Sequence, residues 1–500
     1  MSKRRLILIL TIILFPLSVF GRSDYYKIGN YPVIVLKGSP YEMGLSYGSY
    51  FNKQLKQNIG NLYKIEKTYL RKGFFLTKPF IKAKFNGRIK KLGKNIPDEY
   101  IKVLKGISIA SEINLKDIIF YNSFIDFIKP EVSKSYFITN DRGRSIIGGN
   151  IYLCDDKIVP ILKPIILLFL PDAGYKYFGF TLSGLTSVYA GLNENGIAVL
   201  SLKSKDNYSQ ISEFIVNTIL QFSSSIEDVA ELINKYNKNM NNINIIVVSF
   251  NEHKRYSYVI KGKKIKEEEL KTISSVFPEL FYKVGQRMET IDRMSYKRGL
   301  RIKQLILKGV YPEYILLDQI DIFNGKKLIM DDSINNQDTI QSFIMEKNRI
   351  LFSAGTGFAP HRQKIVFSPQ DLFTGEIRGK IYKEEKLNSR EKKLILFKMN
   401  LEKISSIKNR IKFLENLYAD KKYYEYHIIK TKILFKNGKY KKVLKFLNET
   451  ASEYSLNDTL LFYKYKTLLK LKRKEEAEKV LELIKQNKLL KKWVDIKFGN

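Results

Sequence analysis

Cysteine is almost missing from this 500-residue chain: Cys154 is the only one, so no intrachain disulfide can form, and cysteine use says nothing about compartment. Histidine is nearly as scarce. His253, His361 and His427 are scattered, without the short regular spacings of a zinc site, so metal catalysis and a bound cofactor are not expected. Acidic residues are also few, 50 against 87 Lys and Arg, leaving a formal charge of +37. That excess is mostly lysine spread through every segment. No helix-turn-helix, zinc finger or RNP-like aromatic pair accompanies it, so specific nucleic-acid binding is not expected. Loose attraction to acidic surfaces, a membrane surface among them, is all the charge implies.

Long apolar runs are lacking as well. Leu6 to Phe20 is shorter than the ~20 residues of a spanning helix. It follows Lys3-Arg4-Arg5 and ends with small residues suited to cleavage after Gly21. The expectation is a signal peptide over 1–21 and export to a periplasmic or extracellular location. The stretch Ile158–Leu170, broken by Pro160 and Pro164, reads as a buried strand pair.

Helical apolar spacing covers 42–70 and 79–120, with Pro97-Asp98 suited to a helix start. From Tyr136 the pattern turns to short apolar runs at 136–139, 145–147, 185–189, 197–202, 243–250 and 256–260. Asn-, Asp- and Gly-rich breaks separate them. Helices are expected at Ser209–Ser223 and Arg293–Lys308. This order predicts an α+β layered fold.

Residues 383–500 read as all helix and carry 31 Lys and Arg against 15 Asp and Glu, a local charge of +16. Asn437–Val443 aligns with Leu471–Ala477 at a shift of 34, since 477 − 443 = 34. That is the tetratricopeptide period. The first copy has Gly438-Lys439-Tyr440 with Val443 three residues on; the second retains only the small residue, Ala477. Helices over 386–401 and 404–418 would extend the stack, whose surface would take a protein partner or pack on the preceding domain.

The segment Ser133-Lys134-Ser135-Tyr136-Phe137, followed by Gly143, Gly148 and Asn150, resembles the mature N-terminus of the N-terminal-nucleophile amide hydrolases, the penicillin acyltransferase, choloylglycine hydrolase and acid ceramidase group. Four further segments resemble the group in the same order: Gly38 to Gly48, Ala190 to Val199, Ser295 to Arg298, and Phe352-Ser-Ala-Gly355 with Phe367 to Leu372. The resemblance implies an αββα sandwich over residues 22–382, divided at Ser133, with a C-terminal all-α helical-repeat region over 383–500. It also implies hydrolysis or transfer at linear amide bonds of a small acylated substrate, after self-cleavage before Ser133. Ser133 would be the nucleophile, Asn193 an oxyanion donor, Arg298 an orienting arginine and Asn150 a member of the neighbouring strand.

Three members of the group's set differ here. Ser133 stands at the cysteine place, Gly149 at the arginine place and Tyr152 at the aspartate place. Serine is the weaker nucleophile, and the carboxylate that holds the freed α-amine is missing. Each site residue also has a structural role open to it: Ser133 as a strand entry, Asn193 as the holder of its Asn-Glu-Asn-Gly turn, Arg298 in an ion pair, Asn150 in a turn. Cys154 as a substitute nucleophile is disfavoured by Asp155-Asp156, which would raise its pKa. Two functions follow: an exported hydrolase or acyltransferase with weak or lost activity, or a non-catalytic αββα relative that binds through its domain and its repeats.

Overall fold

In the computed structural model, the described residues are 24–70, 87, 96–122, 132–141, 144–153, 163–203, 214–237, 243–261, 264–270, 274–275, 293–319, 333–401, 404, 406–419, 423–453, 456–486 and 491. The expected signal peptide, Gly143 and Cys154 fall outside them. The side chain of Ser133 is likewise not described.

The chain opens with the antiparallel strands β1 (Asp24–Ile28) and β2 (Tyr31–Gly38). Gly38, at φ +100°, turns the chain into helix α1 (Pro40–Leu70). Glu42 closes that start by accepting from the Ser39 backbone N–H at 2.8 Å and from the Ser39 hydroxyl at 2.7 Å. The same hydroxyl bond holds the Glu42 carboxyl below its usual range. Helix α2 (Asp98–Ser111) lies against α1, and α3 (Leu115–Asn122) follows. A Cβ added at Gly44 would stand 2.1 Å from the Val103 carbonyl oxygen, and one at Gly106 would stand 2.2 Å from that of Tyr41. The glycines of the Gly38–Gly48 motif therefore serve a close helix crossing.

Two sheets follow. Strands β3 (Val132–Asp141) and β4 (Arg144–Leu153) form an antiparallel ladder. Then come β5 (Pro164–Pro171), β6 (Tyr177–Leu182), β7 (Ala190–Asn193) and β8 (Ile197–Lys203). Helices α4 (Phe214–Phe222) and α5 (Ile226–Tyr236) precede β9 (Ile243–Ser249), β10 (Lys254–Lys261), β11 (Lys264–Glu269) and β12 (Ser274–Ser275). Helices α6 (Arg293–Leu307) and α7 (Pro312–Leu317) lead to β13 (Thr339–Glu346), β14 (Arg349–Ala354) and β15 (Lys364–Phe367). Helix α8 (Pro369–Thr374) and β16 (Lys380–Tyr382) complete the sandwich.

One sheet has the order β1-β2-β5-β6-β7-β8-β9-β10-β11 and the other β12-β3-β4-β13-β14-β15-β16. They pack face to face. Phe180 of the first meets Phe352 and Phe343 of the second, with ring centres 4.8 and 5.0 Å apart. The Gln341 amide donates across the gap to the Thr181 carbonyl at 3.0 Å. Helices α4 and α5 cover the outer face of the nine-stranded sheet with α1 and α2. Helices α6 and α7 cover the outer face of the seven-stranded sheet, through Ile302, Leu305, Ile315 and Leu316 packed on Phe137, Ile344 and Leu351. The result is the expected αββα sandwich.

Two expectations change. Residues 185–188 form no strand, because Ser183, Thr186 and Val188 are held by side chains of neighbouring elements instead of a ladder. Within 158–170, residues 164–170 belong to strand β5, and 158–162 lie outside the described residues. Helix α5 was not expected, although Ser225 and Asp228 form a capping box at its start.

Among the described residues the C-terminal region has six helices: α9 (Ser389–Leu401), α10 (Ile407–Leu417), α11 (Tyr424–Lys436), α12 (Tyr440–Glu453), α13 (Asp458–Lys470) and α14 (Lys474–Lys485). They make three hairpins. The second and third repeat at 34 residues in both helices, since 458 − 424 = 34 and 474 − 440 = 34. Three units suffice for a stacked array with a continuous core.

Candidate functional site

Strand register arranges the candidate residues in rows across the seven-stranded sheet. Ser133 on β3 lies opposite Tyr152 on β4, and Tyr152 opposite Thr339 on β13. In the next row Ser135 is opposite Asn150, Asn150 opposite Ser342, and Ser342 opposite Ser353 on β14. The third row is Phe137, Gly148, Ile344 and Leu351. Because Phe137, Ile344 and Leu351 pack under α6, the side chains of Asn150, Tyr152, Ser342 and Ser353 share the outer face. Val132 pairs with Leu153, so the Val132–Ser133 peptide lies within a continuous ladder.

Asn150, wholly buried, donates its amide to the carbonyls of Leu316 at 3.2 Å and Ile334 at 3.0 Å. The Tyr152 hydroxyl donates to the same Ile334 carbonyl at 2.7 Å. Arg298, on α6 and 3% exposed, lays its guanidinium over the Tyr152 ring, 4.2 Å from the ring centre. Asn150, Tyr152 and Arg298 thus come together, and they fasten the backbone after α7. Tyr152 fills the place expected of a carboxylate with an aromatic face and a hydroxyl committed to a main-chain carbonyl.

Asn193 is elsewhere. Its amide donates to the carbonyls of Leu220 at 2.9 Å and Ser223 at 2.7 Å, at the end of α4. Its carbonyl accepts from the backbone N–H groups of Asn195 and Ile197 at 3.1 and 2.9 Å. All four hydrogen-bonding positions are used, on the outer face of the opposite sheet. Convergence of Asn193 with Arg298 is therefore corrected: the sandwich lies between them, and the turn-holding role accounts for Asn193. Arg298 is buried against an aromatic ring.

Gly149 closes the arginine place sterically. A Cβ there would meet the ring of Tyr136 at 2.4 Å and that of Phe343 at 2.8 Å. The space between the sheets is filled by aromatic rings, so no longer side chain fits.

Two lysines had no expected role. Lys134, beside Ser133, turns inward and donates to the Ser201 hydroxyl at 2.8 Å, above the Tyr189 ring. Lys398, on α9 and 7% exposed, reaches from the helical array to Asp338 at 2.8 Å and to the carbonyls of Leu153 and Gln337 at 3.1 and 3.2 Å. Lys297 of α6 pairs with Asp458 of α13 at 3.1 Å, and Gln319 donates to Glu391 of α9 at 2.8 Å. Phe358 is buried in the core of the array. The array is anchored at two places: α9 reaches the end of β4 and the residues before β13, and α13 holds helix α6. No group of metal-ligating side chains occurs among the described residues.

The family model for the anaphase-promoting complex, cyclosome, subunit 3 matches residues 404–484. No curated protein matches the chain in sequence. Among solved structures, an N-acylethanolamine-hydrolyzing acid amidase ortholog of Caenorhabditis elegans is similar at 15% identity, with 42% of this chain and 92% of that one covered and a TM-score of 0.28. Two variants of the conjugated bile acid hydrolase from Clostridium perfringens are similar at 12% and 14% identity, each with 51% of this chain and 99% of that chain covered, at TM-scores of 0.31 and 0.33. The fold assignment rests on the sheets and layers themselves: the chain is an αββα sandwich joined to a tetratricopeptide-like helical array.

Proposed function

We propose that this is an exported protein with a hydrolase-like fold that recognises a small acylated amide and has lost most or all turnover. The observation that carries this reading is the placement of Asn193. Its amide is consumed at the end of α4, across the sandwich from Asn150, Tyr152 and Arg298. An oxyanion hole needs preorganised donors about 3 Å from the developing charge, and losing one typically costs about 10²–10³ in rate. Tyr152 and Gly149 add two further losses. The helical array serves as a layer of this module and as the surface for any protein partner. Export rests on the Lys3–Phe20 segment.

The test is the intact mass of the exported protein together with its activity on simple acyl amides. A single chain starting near Arg22, without turnover, is expected. A second reading, a serine amide hydrolase cut before Ser133, is favoured by the pairing of Ser133 beside the Asn150 row. Two chains split at 132/133, with turnover lost in Ser133→Ala, would establish that reading and end the first.

A further inference from the structure

Buried polar atoms without hydrogen bonds gather in one register row. Ser342 and Ser353, opposite each other on β13 and β14, are 1% and 0% exposed, and neither hydroxyl has a partner. Asn150, opposite Ser342, leaves its side-chain oxygen unmatched. Its orientation is fixed, because the amide nitrogen faces two backbone carbonyls and a flipped group would face them with oxygen. Asn335, next to the Ile334 carbonyl that Asn150 and Tyr152 both bind, is 0% exposed with both amide atoms unmatched. Directly opposite Cβ atoms in a sheet are about 5 Å apart, so the groups of Asn150, Ser342 and Ser353 span the length of one small molecule.

Buried polar groups of this kind are ordinarily satisfied, by protein, water or ligand. Here five atoms in one neighbourhood await partners, so the geometry points to a binding subsite for a neutral primary carboxamide. The Asn150 oxygen calls for an N–H donor. Asn335 supplies both a donor and an acceptor, which pair with an amide in complementary fashion. The hydroxyls of Ser342 and Ser353 serve either sense. No carboxylate belongs to the row, and the nearby Asp318 is held by two bonds from Arg301 at 3.0 and 2.8 Å, so a charged group would be buried without a counter-ion. This inference rests on the reading of the domain as an amide-recognising scaffold, and it assigns Asn335, Ser342 and Ser353 as the recognition residues.

The probe is butanamide, added to the full exported chain, with butanoate and pentan-2-one as controls. Ligand-observed NMR and thermal unfolding are the measurements. Saturable binding of butanamide with a rise in Tm is expected, and neither control should match it. In Ser342→Ala/Ser353→Ala the affinity should fall about tenfold or more, while the ligand-free Tm holds or rises, because an unpaired buried hydroxyl is removed. If the double variant does not fold, Ser353→Ala alone carries the same comparison. Absence of saturable butanamide binding would overturn the proposal, as would equal affinity in the serine variants and in Asn335→Leu. Intact mass and acyl-amide turnover on the same sample separate the two readings: a cut, active chain ends the non-catalytic reading, whereas the row is judged by binding alone.

Discussion

Arg298 and Tyr152 are stacked, guanidinium on ring at 4.2 Å, at the position where the sequence resemblance led to the expectation of an aspartate. A cation over a desolvated tyrosine face contributes about 2 kcal/mol. Arg298→Lys should lose much of this, because an ammonium lacks the planar surface. Tyr152→Phe should keep the stack and cost only about 1 kcal/mol, since Asn150 still donates to the Ile334 carbonyl. Chemical denaturation of both variants checks the order; a larger loss for Tyr152→Phe would contradict it.

Rebuilding the family's site by Gly149→Arg should fail on sterics. The first added carbon already overlaps the Tyr136 and Phe343 rings. Overpacking of a filled core costs about 1–3 kcal/mol for single methylenes, and an arginine adds far more volume than one. The variant should be expressed as insoluble material or unfold at much lower denaturant, whatever is done at Ser133. A stable Gly149→Arg protein would show that the space between the sheets can open.

Asn193→Ala should be costly without any bearing on chemistry. It strands the Leu220 and Ser223 carbonyls and the Asn195 and Ile197 N–H groups. With buried unmet groups at about 1–3 kcal/mol each, partly relieved by water, a loss of about 3 kcal/mol is expected from urea unfolding. Binding of amides at the Asn150 row should survive in the folded fraction. Wild-type stability in Asn193→Ala would remove the turn-holding role.

Lys398→Ala leaves Asp338 buried beside two carbonyls with no cation. Removing one partner of a buried pair typically costs about 3–5 kcal/mol, whereas removing both costs much less. Lys398→Ala/Asp338→Ala should therefore be closer to wild type than Lys398→Ala. A double-mutant cycle read by thermal unfolding supplies the coupling.

Acid should weaken the junction between sandwich and array. Burial pushes the Glu385 carboxyl up, but hydrogen bonds from Lys364 and His361 outweigh it and hold the group below its ordinary range. A carboxylate with a depressed folded pKa contributes stability above its unfolded pKa, about 4.3, and loses it as pH falls through the folded value. Glu385→Gln should flatten the stability curve below about pH 5 and leave its neutral limb parallel to wild type.

Local signals in the chain proved readable. The Gly38–Gly48 segment marked a capped helix and a close crossing, the Asn193–Gly196 turn sat between paired strands, and the shift of 34 between Val443 and Ala477 reappeared as repeating hairpins. The polar row was not readable, because Asn150 and Ser342 are brought together by strand register across nearly two hundred residues. Nothing beside Ser342 distinguishes it from a surface serine, and the Phe352–Gly355 segment marks a hairpin without showing what the Ser353 hydroxyl faces. Lys398 was hidden for a related reason: a lysine in a polar helix belongs to solvent by default, and only docking of the whole array buries it. The capping box at the start of α5 lies wholly in near neighbours, Ser225 and Asp228.

The grip of α9 and α13 on the sandwich is tethered by a short stretch of the same chain. Tethering of that kind sets an effective concentration in the millimolar range for flexible linkers, so an outside protein seeking the same face must out-compete a permanent occupant. Any protein partner of this array would then meet the flank its own sandwich leaves uncovered, while the inner flank is held for one resident.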